Sequence, residues 1–254
     1  MKLAKLSLAA IVVAGLASSS FAADTLADAF KNGTVNGELK AYYFDRDNGT
    51  NKEGIFDTGI LLGYKTASLY GFTANVTFQG SASPFASENE KAMFKNDMYG
   101  SGAVLSEAYI AYTLGKTTAM VGRMFLDTPL VASSGSRIIK EAFEGAAVIN
   151  TDLPNTTLIA GYVQKFQTRT NGNGKVGEFT NSFATNSGPN VDIDNGGYTL
   201  AAINKSVPGL TLTAAYAYAN AYYKTPADAV TPNIVAVDGG VHIVKERFHT
   251  PAEL

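Results

Sequence analysis

Residues 71–79 alternate without a break: Phe72, Ala74, Val76 and Phe78 fall on one side of an extended chain, and Thr73, Asn75, Thr77 and Gln79 on the other. Strict period-two alternation specifies a β-strand with one apolar and one polar face. The pattern recurs along the chain. Residues 35–45 set Leu39, Ala41 and Tyr43 against Glu38, Lys40, Tyr42 and Phe44. Residues 59–65 carry Ile60, Leu62 and Tyr64 on one side, and residues 106–114 set Ala108, Ile110, Tyr112 and Leu114 against Glu107 and Tyr109. Further strands are expected at 117–124, 143–150, 157–168, 198–205 and 211–222, the last with Leu212, Ala214, Tyr216 and Tyr218 on one face.

A soluble sandwich and a membrane barrel both alternate in this way, so length and connections must separate them. Strands that cross a bilayer run about 9–11 residues, whereas the mean soluble strand is about 5–6. Several segments here reach the longer figure. The connections alternate too. Short turns fall at 66–69, 115–116, 151–155 and 206–209, and long loops at 46–56, 80–104, 125–142 and 169–197. Short turns at one end and long loops at the other are the layout of outer-membrane barrels, with periplasmic turns and extracellular loops. The expected fold is an antiparallel transmembrane β-barrel, complete or incomplete, with about nine to ten strands in this chain at the run lengths a bilayer requires. Tyr42, Phe44, Tyr64, Phe78, Tyr112 and Tyr222 lie near strand ends and suit aromatic girdles, or are ordinary strand aromatics.

The N-terminus agrees with that compartment. Lys2 and Lys5 precede an apolar run over residues 6–17, then a serine cluster, with small residues at Ser20 and Ala22. This is a secretory signal over residues 1–22, with the barrel portion at 23–240. A membrane-spanning helix needs about 20 apolar residues, more than this run supplies. A short helix-compatible stretch follows at 25–31. Lys and Arg (20) nearly balance Asp and Glu (22), so nothing points to nucleic acid. Cysteine is absent, which removes disulfides and thiolate chemistry. The expected location is the bacterial outer membrane, with its lipid as partner.

Few motifs carry chemistry. Gly172-Asn173-Gly174-Lys175-Val176-Gly177 spells a dinucleotide fingerprint. That motif works only between a strand and a helix that receives the pyrophosphate, and no helical pattern follows here. Asp45-Arg46-Asp47-Asn48-Gly49 and Asp192-Ile193-Asp194-Asn195-Gly196 gather hard oxygens that suit calcium. Neither has full EF-hand spacing, and Asx and Gly favour turns in any case, so no cofactor is expected and loop calcium is the alternative. Barrel hydrolases normally need a histidine beside a nucleophile or an acid, and both histidines, His242 and His249, lie in the last fourteen residues. Carboxylate pairs such as Glu141 with Glu144 have nothing in sequence to place them across a substrate.

The charged stretch from Leu126 to Gly145 fills the third long loop. Folded inward, it would form an ion-selecting constriction with Asp127, Arg137, Lys140, Glu141 and Glu144. The plain alternative is an exposed loop. Strand alternation sends Lys40, Glu107, Arg123 and Lys165 toward the lumen if their apolar neighbours face lipid. Leu126-Asp127-Thr128-Pro129-Leu130 and Ser136-Arg137-Ile138-Ile139-Lys140-Glu141-Ala142-Phe143-Glu144-Gly145 resemble the signature of OprD-type outer-membrane porins. Lys140 stands where that family has proline, and Ala142 where it has threonine. Gly37-Glu38-Leu39-Lys40-Ala41-Tyr42-Tyr43-Phe44-Asp45-Arg46-Asp47 is similar to the first strand of the Campylobacter-type major outer membrane porins.

The resemblance runs to about residue 223. It implies a barrel of more strands, often a homotrimer, that passes small hydrophilic or cationic solutes and amino acids by passive diffusion. Such porins end on an aromatic strand residue. Residues 241–254 break the alternation and end at Leu254, so they are expected to be an atypical tail, from truncation or a frameshift, without a regular lipid-facing strand. A structural or adhesive surface protein is the alternative function, and a barrel enzyme ranks third.

Overall fold

The computed structural model describes residues 23–96, 98–183, 191–193, 195–219, 221–223, 231–233 and 241–245. The secretory segment expected at 1–22 and the tail beyond 245 lie outside them. Helix α1 (Leu26–Lys31) comes first, its N-cap Thr25 accepting from the Asp28 amide at 3.1 Å. Three strands follow: β1 (Thr34–Asp47), β2 (Lys52–Lys65) and β3 (Phe72–Ala82). Helix α2 (Glu88–Phe94) interrupts the next connection. Then come β4 (Gly102–Leu114), β5 (Thr117–Met124), β6 (Ala142–Asn150) and β7 (Thr156–Gln167). The short strands β8 (Phe179–Thr180), β9 (Ser182–Phe183) and β10 (Val191–Asp192) precede β11 (Gly197–Val207) and β12 (Leu210–Ala219). The last are β13 (Ala221–Tyr223), β14 (Thr231–Asn233) and β15 (Val241–Lys245).

The main sheet runs β1-β2-β3-β4-β5-β6-β7-β11-β12-β15, with β8 beside β7. Its neighbours pair antiparallel throughout. Strands β14, β13, β10 and β9 make a second small sheet. Because nearly every strand pairs with the next in sequence, the connections alternate between two ends. Residues 66–71, 115–116, 151–155 and 208–209 form the short end. Helix α1 sits there: the Ala67 amide donates to the Ala29 carbonyl at 2.9 Å, and Tyr64 donates its hydroxyl to the Phe30 carbonyl.

The two faces of the sheet differ as the alternation requires. Leu39 (72% exposed), Leu114 (70%) and Ile110 (57%) stand out from one face. Asn75, Thr77, Gln79 and Ser106 are buried on the other. In β4 a bulge shifts the register, so that Thr77 pairs with Glu107 but Phe78 with Leu105. The extra residue lets Ser106 and Glu107 both serve the polar face. The sheet also curls around that face. Ser106 of β4 donates its hydroxyl to Gln167 Oε1 of β7 at 2.7 Å, although β5 and β6 lie between them. In a flat sheet strands three apart are about 14 Å distant, beyond the reach of a serine and a glutamine. Among the described residues β1 and β15 do not pair, so the curled sheet is open.

Four expectations need correction. The long loop placed at 46–56 is a hairpin turn at 48–51, since β1 and β2 stay paired as far as Asp47 and Lys52. Asp47 and Asn48 accept turn amides (Gly49 N to Asp47 Oδ1, 2.8 Å; Asn51 N to Asn48 Oδ1, 2.8 Å), which is what these carboxylate and amide groups do here. The second oxygen-rich loop includes Asp194, outside the described residues. Tyr42 and Phe44 face inward rather than forming a girdle, because loop residues supply an apolar partner on that side. The strand expected at 211–222 ends as β12 at Ala219, and Tyr222 belongs to the small second sheet. In the tail, Val241–Lys245 forms a strand after all, pairing with Leu210 to Ala214 of β12. An exposed strand edge offers backbone groups to any extended segment, whatever its side-chain pattern.

Candidate functional site

The connection between β5 and β6, residues 125–141, lies across the polar face. It begins at Phe125, whose amide donates to Glu107 Oε1 at 3.2 Å. Glu107 is held in turn by Asn75 Nδ2 at 3.0 Å and Thr77 Oγ1 at 2.6 Å. Leu126 then packs with Met124, Phe143 and Ala147, and Val131 covers the same cluster. A turn closes at Thr128, whose hydroxyl donates to the Val131 carbonyl at 2.7 Å. Ser133 and Leu126 exchange hydrogen bonds, Ser133 N to Leu126 O at 2.7 Å and Leu126 N to Ser133 Oγ at 3.0 Å.

From there the loop reaches the opposite part of the curled sheet. Lys40 of β1 donates its ammonium to the Ile138 carbonyl at 3.2 Å and lies 3.6 Å from Glu38. Gln79 of β3 binds the backbone of Lys140 with both ends of its amide. Its Oε1 accepts from Lys140 N and its Nε2 donates to Lys140 O, each at 2.8 Å. The same Nε2 lies 2.7 Å from Ser106 Oγ, which continues to Gln167. Buried polar groups need such partners, because an unmade hydrogen bond in the interior costs about 1–3 kcal/mol. The loop is thus tied at both ends to strands on different sides of the sheet.

The expected site residues fall into three settings. Asp127 is exposed near the start of the loop, its backbone bridged to Ala132. Arg137 sets its guanidinium over the Phe44 ring, 5.3 Å from the centroid, and Lys140 sets its ammonium 4.3 Å from that of Phe125. Both are cation–π contacts with residues at strand ends. Glu141 pairs with Arg169 at 3.5 Å. Glu144 is not in the loop but in the wall: it takes Arg123 Nε at 2.9 Å and Lys165 Nζ at 3.0 Å. The three stand in register across β5, β6 and β7. Lys40 and Glu107 act on the polar face, as alternation requires, through named partners rather than as free charges. Arg123 pairs across the ladder with Ala108, on the side of Ile110 and Val121, so the Arg123–Glu144–Lys165 row stands on the other face of the wall.

Sequence reasoning did not single out Gln79, Ser106 and Gln167 as anchors. The polar side of the 71–79 alternation places Gln79 inward; its use of a backbone 61 residues away has no local signature. Nor did it find α2, whose Ser87 and Glu90 form a capping box. In α2 the Glu88 carboxylate beside Lys91, at 2.8 Å, holds that ammonium above its usual range.

Comparison with known proteins decides what kind of sheet this is. Residues 1–204 match the model of the Campylobacter major outer membrane protein family. The chain belongs to that family. No curated protein matches it. Among solved structures it is similar to Acinetobacter baumannii OccAB2, with a TM-score of 0.63 and 17% identity over 80% of this chain and 56% of that one. Pseudomonas aeruginosa OccK8 (OprE) gives 0.57 and 17% over 79% and 52%, and P. aeruginosa OpdK, solved with vanillate, gives 0.55 and 16% over 78% and 54%. At such identities the likeness is one of fold: an OprD-type β-barrel wall. The chain spans about half the length of the solved proteins it matches. As a member of the Campylobacter major outer membrane protein family it is an outer-membrane protein, and the face bearing Leu39, Ile110 and Leu114 meets lipid.

Proposed function

We propose that the protein is a porin, passing small hydrophilic solutes and ions by passive diffusion, with residues 125–141 as its constriction. One observation carries the reading. The loop rests on β6 through Leu126 and on β3 and β1 through Lys140 and Ile138, so it crosses the polar side of a curled sheet. On this reading Asp127, Arg137, Lys140 and Glu141 stand in the narrow region, with Glu144 in the wall beside it. Lys40 and Glu107 line the approach, and Arg123 and Lys165 stand in the wall with Glu144. Charges at a constriction set ion preference because an entering ion sheds water and meets the local field at short range. Family and fold point to a channel rather than an enzyme. Assembly as a homotrimer belongs to the same proposal and rests on the family resemblance.

Reversal potentials in planar bilayers test it. Arg137→Ala is expected to shift selectivity toward cations and Asp127→Ala toward anions. Lys175→Ala, in the next long loop, should do less, since salt screens an outer loop more strongly. Selectivity unmoved by both constriction substitutions places residues 125–141 outside the pore. A protein that inserts but does not conduct is instead a structural or adhesive surface protein.

A further inference from the structure

The constriction segment is gripped from outside the wall as well as by it. Ile138 and Ile139 are buried in a cluster with Ile55, Phe94, Met98 and Val176. Ile55 belongs to β2, but Phe94 and Met98 come from residues 83–101, and Val176 from the connection after β7. Those two connections are zipped together. The Ser101 amide donates to the Gly174 carbonyl at 3.0 Å, Val176 N donates to Ser101 O at 3.3 Å, and Thr170 Oγ1 donates to the Lys95 carbonyl at 2.8 Å. Gly174 has φ +80°, and a Cβ there would sit 2.6 Å from the Tyr99 ring, so the glycine-rich run serves this close packing. Arg46 of β1 ties the helix down, donating to the Met93 carbonyl at 3.2 Å with its guanidinium 4.9 Å from the Phe94 centroid.

We propose that residues 83–101, through Phe94 and Met98, are the positioning element of the constriction: they hold Ile138 and Ile139, and so fix where Arg137 and Lys140 stand. The inference rests on the constriction reading above. Its physical basis is a division of labour. The strands are secured by their own ladder hydrogen bonds, whereas Ile138 and Ile139 share their buried cluster with Phe94, Met98 and Val176 of other connections as well as with Ile55 of β2, and Ile138 also lies against Gly59 of that strand. Removing the Phe94 ring opens a cavity under the isoleucines and leaves the ladder intact. The segment 137–140 carries two cations, Arg137 and Lys140. Loosening it withdraws positive charge from the narrow region.

Phe94 touches no solute, so its effect must be read through the pore. Phe94→Ala should replace a uniform single-channel conductance with several levels and shift the reversal potential toward cations, the direction of Arg137→Ala. Phe94→Leu, which refills the space, should restore both. Insertion is checked by heat-modifiable migration. If Phe94→Ala does not insert, Met98→Ala carries the same expectation. A Phe94→Ala or Met98→Ala protein that inserts and keeps the parental conductance and reversal potential overturns the proposal. Where Arg137→Ala shifts selectivity and these variants do not, the positioning role alone falls. Where Arg137→Ala is itself silent, the constriction reading falls first, and this inference with it.

Discussion

The loop cap and the outer face of the wall use the same apolar residue types in opposite ways. In the cap, Ile138 and Ile139 are each 3% exposed and Phe94 1%. On the outer face Leu39, Tyr43 and Leu114 stand two-thirds bare or more. The cap lies on the polar side of the sheet, away from lipid, where apolar side chains must pack on one another, at about 25 cal/mol per Å² removed. The wall meets hydrocarbon, which solvates the same side chains. Lipid replaces the second layer that a soluble sheet would need.

Substitutions that exchange the two environments test this contrast. The largest expected effect is Ile138→Ala, since truncating a packed aliphatic side chain costs about 2–5 kcal/mol. The loss should be local, appearing as faster hydrogen exchange and proteolysis over residues 126–141. Leu39→Ala, with its side chain already in lipid and no cavity to leave, should change neither. Leu39→Arg inverts the comparison. Leu39 lies near the middle of β1, where a charge facing lipid costs about 2–4 kcal/mol. Urea titration in bilayers should show that loss globally, with cap proteolysis unchanged. A tolerated Leu39→Arg would mean that this face is covered by something other than lipid. Gln79→Ala gives the smallest of the three losses, about 1–3 kcal/mol for the amide and carbonyl left unpaired at Lys140. It should raise exchange at Lys140 more than at Ile149 in β6.

The wall was legible because its two solvents impose a period of two. The strand that the pattern places at residues 117–124 forms as β5 with those limits. On the polar side of 71–79 Asn75, Thr77 and Gln79 are buried, and on the apolar side Phe72, Val76 and Phe78 are exposed. What failed lay where that rule lapses. Beyond the lipid both faces of a hairpin can be polar. Arg46, Asp47 and Glu53 therefore resemble a loop, although Arg46 pairs with Glu53 and Asp47 with Lys52 across the ladder. The charges of the 125–141 loop were visible in the sequence. Their fastening was not, because it runs through backbone atoms of Ile138 and Lys140, which any residue supplies. The cap was hidden for a related reason. The capping box at Ser87 marks a helix start, but its reward is contact between Phe94 and isoleucines more than forty residues away. Val241–Lys245 follows the same logic, joining β12 by main-chain pairing.

The central claim, that residues 125–141 stand in the ion path, can be met directly because the chain has no cysteine of its own. Arg137→Cys gives a single thiol. A membrane-impermeant, charged thiosulfonate reagent is then added to channels in a planar bilayer. The account predicts a stepwise fall in conductance as each pore is modified, with a reversal-potential shift whose sign follows the charge of the reagent. Complete modification, verified by mass, with conductance and reversal potential unchanged would contradict it.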